Sequence, residues 1–181
     1  MTLSIAPGSG ADLVDELAGL DPGSPMHQVR HRRDKVALAT QGSYDALFDP
    51  GLPGLSLVER LLVALYACRL TPAAALAGHY RDRARAAGAD AAALAAVEEG
   101  DPLELADPRL RAMLCFTRAL ILSPIDADRA LLGTLPAAGI STPAIVTLAQ
   151  LIAFLSYQTR LVAGLGAMRA ARAAIGPETS P

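Results

Sequence analysis

The side chains of this sequence that could move a proton, move an electron or hold a metal are few and widely spaced. Glu59 stands just before the run Leu61 to Cys68, in which every residue is apolar or is Tyr66. A carboxylate placed there has two readings. It can close a capping box with Ser56, three residues earlier, at the start of a helix. It can instead be a buried acid, its pKa raised by apolar walls, facing an imidazole on a neighbouring helix. The imidazole is His79, which is open to the same pair of readings: a structural, hydrogen-bonded histidine, or a general acid/base reaching Glu59 across two helices. Tyr66 lies seven residues after Glu59, almost on the same helical face, and is a further candidate for that cleft. Tyr157, Gln158 and Arg160 bring polarity into an otherwise apolar last helix. Arg160 either holds a substrate carboxylate or pairs with an interior acid, and pairing is favoured because an unpaired buried charge is costly.

The remaining reactive residues form no recognisable set. Cys68 and Cys115 are far apart and match neither a disulfide framework nor zinc spacing. Both sit in apolar runs, where free cysteine behaves as a small buried hydrophobe. His27 and His31 are four residues apart, a spacing that suits a metal, but no third ligand is evident in the sequence. No metal and no cofactor is expected.

The elements that must position these residues read as helices throughout. Hydrophobic residues are 52% of the chain and aromatics only 4%, with no tryptophan, so the core must be built from Ala, Leu, Val and Ile. No stretch alternates with period two, and alanine is poor in strands. Proline, glycine and small polar residues punctuate the chain into helices over Ala11–Leu20, Pro25 to about Thr40, Leu57–Leu70, Pro72 to about Ala87, Asp90 to Gly100, Pro108–Leu122, Asp126 to about Leu135, and Pro143 to about Ala174. Thr71 would cap the fourth of these, and residues Gly42 to Gly54 would be a loop. The prediction is a single-domain, all-α bundle of seven to eight helices. Residues 1–54 would form an N-terminal extension and loop, 55–175 the main domain, and 176–181 a loose tail.

Net charge is −2, which gives no electrostatic case for nucleic acid. The apolar stretch Ala144–Leu155 falls short of the ~20 residues of a membrane span, and no basic segment leads into an apolar one at the N-terminus. A cytoplasmic protein with no membrane partner is expected. So much apolar surface on a small domain also implies a homo-oligomer.

Three segments, in order, resemble the carboxymuconolactone decarboxylase and alkylhydroperoxidase D group. Leu57-Val58-Glu59-Arg60-Leu61-Leu62-Val63-Ala64-Leu65 resembles its entry helix. Ala77-Gly78-His79-Tyr80, followed by Ala86-Ala87-Gly88-Ala89, is similar to its histidine-bearing helix. Ile140-Ser141-Thr142-Pro143-Ala144-Ile145, continuing to Phe154-Leu155-Ser156-Tyr157-Gln158-Thr159-Arg160-Leu161-Val162-Ala163-Gly164-Leu165-Gly166, is similar to the C-terminal helix of the peroxidase-related branch. The likeness covers roughly residues 55–170 and implies an alkylhydroperoxidase D-like bundle, with Glu59 in a proton relay.

One departure is large. The thiol peroxidases of this group carry Cys-x-x-Cys-x-x-x-His. Counted back from His79, the cysteines would fall at Pro72 and Ala75; counted forward from Glu59, at Thr71 and Ala74. Neither register finds sulfur, so there is no thiolate to attack peroxide and no second thiol to resolve the product. Since the decarboxylase branch works by acid/base chemistry, the resemblance leaves two readings. In the first, Glu59 and His79 serve proton transfer on a small organic substrate. In the second, the chain is a catalytically inactive structural or ligand-binding subunit, assembling with itself or with an intact paralogue. A peroxidase using Cys68 ranks third, because nine helical steps of ~100° put Cys68 on the opposite side from Glu59.

Overall fold

Several of the helices begin at a side chain that satisfies their first amides. In the computed structural model, which describes residues 12–99, 101 and 104–175, the hydroxyl of Ser24 caps Pro25–His31, Ser56 caps Leu57–Leu70, Asp107 caps Pro108–Leu122, and Asp128 caps Arg129–Ala137. Nine α-helices and no strand are present among the described residues: α1 Leu13–Ala18, α2 Pro25–His31, α3 Asp34–Leu47, α4 Leu57–Leu70, α5 Ala74–Ala86, α6 Ala91–Glu99, α7 Pro108–Leu122, α8 Arg129–Ala137 and α9 Thr142–Ile175. A 3-10 turn, Pro124–Asp126, precedes α8. The N-terminal stretch to Gly10 and the tail from Gly176 lie outside the described residues.

The ninth helix arises because the segment predicted as one helix from Pro25 to about Thr40 is two. It breaks after His31, and α3 then runs on to Leu47 through the region predicted as loop. Gly42 does not stop it, since a glycine ends a helix only where the chain turns to the left-handed conformation. The buried positions Ala37 and Thr40 carry the apolar face of α3 forward, and Phe48 lies just past its end, 2% exposed. The turn comes only at Asp49-Pro50-Gly51. Thr71 likewise departs from its predicted role: its hydroxyl donates to Ala67 O at 2.8 Å, tying off the end of α4, and α5 begins without a side-chain cap.

The described chain divides into two compact units. In Asp45–Thr159, α4 packs on α5, α6 and α7, and α7 packs on α8. From Leu61 to Cys68 no residue of α4 is more than 3% exposed, as expected for a helix apolar on every side. Four polar side chains are buried in this unit, Arg60, Thr117, Gln158 and Thr159, and every buried side-chain nitrogen or oxygen among the described residues has a partner. The other unit holds the residues up to Tyr44 together with those from Arg160 onward. There, α1 ends at Gly19, whose φ of +65° needs a residue without Cβ. A Cβ at that position would also stand 3.1 Å from the Arg169 guanidinium. By length and composition α9 could cross a membrane. Its residues Leu148, Leu151, Ile152 and Leu155 are buried in the bundle, the pattern of a core helix.

Candidate functional site

Glu59 sits in the first turn of α4, where its carboxylate is fully engaged. Oε2 accepts the Ser56 amide at 2.6 Å while Ser56 Oγ accepts the Glu59 amide at 3.1 Å, which completes the capping box. Oε1 accepts from Arg109 Nε at 2.7 Å. Arg109, in the first turn of α7, also donates to Gly54 O and Gly139 O, each at 2.8 Å. One guanidinium thus joins the loop before α4, the start of α4 and the loop before α9. Gly54 has φ +90°, and a Cβ on it would lie 3.0 Å from Ala144 Cβ, so the backbone here is closely drawn in.

His79 lies on α5, which comes after α4 through Thr71–Ala73 and packs along it. In an antiparallel hairpin, Glu59 and His79 stand about six residues out of level, or ~9 Å at 1.5 Å per residue. The oxygens of Glu59 bond to Ser56 and Arg109, the capping-box reading of this residue. The His79 ring meets Tyr80 edge-on, with centroids 5.2 Å apart. Tyr80, fully buried, donates its hydroxyl to Gln158 Oε1, and its ring tilts against Phe48 at 5.2 Å.

Tyr66 is 2% exposed, with the Arg69 guanidinium 6.0 Å from its ring centre. Burial pushes its phenol above the ordinary value, and Arg118 and Arg69 partly offset this. Tyr66 therefore shares its surroundings with Arg69, Arg118, Asp101 and Cys115, away from the Glu59–Arg109 clamp. Tyr157 is 44% exposed and Arg160 is exposed. Between them Thr159 is buried and Gln158, at 1% exposed, is buried more deeply. Its place could have been read from the stripe Leu148, Leu151, Leu155, Gln158, Val162, Leu165, every member of which is buried.

The four positions matching the cysteine pair hold Thr71, Pro72, Ala74 and Ala75. The two cysteine sulfurs of the described residues lie elsewhere. Cys68, 2% exposed, has its thiol pushed by burial up to about 12. Cys115, half-buried, is raised for the same leading reason, helped by Asp101 and opposed by Arg111 and Arg118. Thiols held in the neutral form are poor nucleophiles.

Sequence also paired His27 with His31 and found no third donor. The fold supplies one from α1: Asp15 Oδ2 lies 2.6 Å from His31 Nε2 and 3.6 Å from His27 Nε2.

No family model matches the sequence, and no curated protein matches it. Solved structures do match. A cysteine-to-alanine variant of the debrominase Bmp8, in complex with 2,3,4-tribromopyrrole, aligns with a TM-score of 0.65 and 18% identity over 83% of this chain and 78% of that one. An uncharacterized peroxidase-related protein from Silicibacter sp. TM1040 aligns with a TM-score of 0.66 and 17% identity over 91% of this chain and 93% of that one. At these identities the likeness speaks for architecture alone: the chain is an all-α protein with the alkylhydroperoxidase D-like fold.

Proposed function

We propose that this chain is a peroxidase-related member of the carboxymuconolactone decarboxylase and alkylhydroperoxidase group that binds a small organic molecule without dithiol redox chemistry, as a non-catalytic subunit of a cytoplasmic homo-oligomer. One observation carries this reading. The two elements the group uses for chemistry are both diverted, the cysteine pair into Thr71, Pro72, Ala74 and Ala75, and the glutamate into a structural clamp with Ser56 and Arg109. The debrominase neighbour, solved with a tribromopyrrole, supports the fold's capacity to hold a small ring compound. Exposed Val29, Val36 and Leu38, each more than half exposed, support self-association. An intact paralogue remains a partner in keeping with the same logic. Proton transfer by His79 on an organic acid is the second reading. It is favoured by the half-buried position of that imidazole beside Tyr80, with its buried hydroxyl bond to Gln158.

Peroxide added with a dithiol reductant is expected to be consumed no faster than in protein-free buffer. Intact mass after peroxide should show no loss of two hydrogens. A reversible two-hydrogen loss, restored by dithiol, would refute the reading. With Cys68 near 12, its thiolate fraction at pH 8 is of order 10⁻⁴. A thiol reagent at that pH should therefore label Cys68 only after denaturation, as followed by peptide mass spectrometry. A folded pKa raised from 9.0 favours the protonated folded state, so this contribution to stability is complete below pH 9 and fades as pH rises toward about 12.

A further inference from the structure

We propose that Asp15, His27 and His31 form a binding site for one divalent transition-metal ion of the zinc class, with Asp15 Oδ2 and the Nε2 atoms of both histidines as ligands. Their ligand atoms all lie within 4.8 Å of one another. The two imidazoles come from successive turns of α2 and stack with centroids 4.3 Å apart and planes at 30°, so they present nitrogens to the same side. Asp15 arrives from α1 and closes the third corner. Two ligands on a tetrahedral ion, each ~2.0–2.1 Å from it, stand about 3.4 Å apart. The two separations from Asp15 Oδ2, 3.6 Å and 2.6 Å, bracket that value, and the two histidine nitrogens lie within 4.8 Å of each other, so adjustments of about 1 Å bring all three onto one ion. The side chains are 11%, 25% and 29% exposed for Asp15, His27 and His31. This is enough for an ion to enter and for water to take a fourth position.

Arg30 Nη1 lies 3.2 Å from His31 Nε2, and that nitrogen stands 2.6 Å from Asp15 Oδ2. The surrounding residues hold the three ligand side chains in place. Arg30 donates to Asp15 Oδ1 at 2.8 Å and to Asp12 Oδ2 at 3.1 Å, which aims Oδ2 of Asp15 at the imidazoles. His31 Nδ1 is 3.9 Å from Asp34 Oδ1, the side on which its proton would sit once Nε2 is a ligand. His27 gives up only a 3.4 Å contact from the Gly23 amide to its Nδ1. Asp12, Asp15 and Asp34 against Arg30 leave the immediate ring of contacts net negative, which favours a dication.

The ion would clip α1 to α2, because all three ligands lie on those short helices. Tag-free full-length protein, titrated with zinc chloride and cobalt(II) chloride in a calorimeter, should bind one ion per chain with a micromolar or tighter Kd. At a hundredfold excess over Kd its Tm should rise by about 5–10 °C. His27→Ala, His31→Ala and Asp15→Asn, each checked for folding by circular dichroism, should weaken binding at least tenfold, and Cys115→Ser should not. Asp15→Asn is nearly isosteric, so a folding defect in the histidine variants leaves the test intact. The site is overturned by the absence of saturable binding, by one-to-one binding that survives loss of a histidine or of Asp15, or by an intense sulfur-to-cobalt charge-transfer band.

Discussion

Arg60→Ala is expected to lower the free energy of unfolding by about 3–5 kcal/mol. The side chain has no exposed surface and spends its donors on backbone: Nε to Ser56 O at 3.3 Å, Nη1 to Leu47 O, and Nη2 to Asp49 O at 2.9 Å. Those carbonyls belong to the end of α3, the turn after it and the residue that caps α4. One guanidinium therefore holds the whole connection that delivers Glu59 to its position. Burial lowers the Arg60 pKa, while Asp49 and Glu59 act the other way. Truncation takes the guanidinium away from Leu47 O, leaves Ser56 O and Asp49 O only the amides of Arg60 and Leu52, and opens a void against α4. Arg60→Lys keeps the charge but offers a single nitrogen where three are used, so it should recover only part of the loss. Urea unfolding with an unchanged m-value measures the effect. If Arg60→Met unfolds within about 0.5 kcal/mol of the wild type, the clamp is not what stabilises this connection.

That connection also marks where sequence reading stopped. The interior course of α4 was legible because the unbroken apolar run from Leu61 to Cys68 leaves no face for water. The cap at Ser56 was legible because its signal is local. Gly42 misled because a glycine signals a turn only where the chain needs a left-handed φ, and the packing of Phe48 beyond it keeps the helix going instead. Arg60, Arg109 and Asp15 were missed for another reason: their partners lie in other elements; Gln158 was noted only as a polar interruption of the last helix. Arg109 bonds residues 30, 50 and 55 positions away, and Tyr80 meets Gln158 across 78. For Gln158 a signal existed, a polar residue on an otherwise apolar stripe. For Asp15 there was none, because its relation to His27 and His31 depends on how α1 and α2 pack. Glu59 is a subtler case. The capping box and the proton relay use the same residue at the same place, and only the oxygens' partners tell them apart.

Arg109→Ala should cost about 2–3 kcal/mol, since it removes donors to Gly54 O and Gly139 O and leaves Glu59 Oε1 unpaired. Arg109 and Glu59 are 29% and 18% exposed, so part of their attraction is screened and the loss should shrink in high salt. Glu59→Gln is the informative companion. Glutamine can still accept from the Ser56 amide, because a capping box admits either residue. The expected loss is therefore under about 1 kcal/mol, and a double-mutant cycle with Arg109→Ala should return a coupling of about 1 kcal/mol. An amide at this position cannot carry a proton as a carboxylate does, so the same variant separates a structural glutamate from a catalytic one. Retained ligand binding with nearly native Tm is the outcome the clamp requires. An activity of the wild type that vanished in Glu59→Gln while Tm held would assign the carboxylate to proton transfer, and the Ser56–Arg109 clamp would then be its resting position.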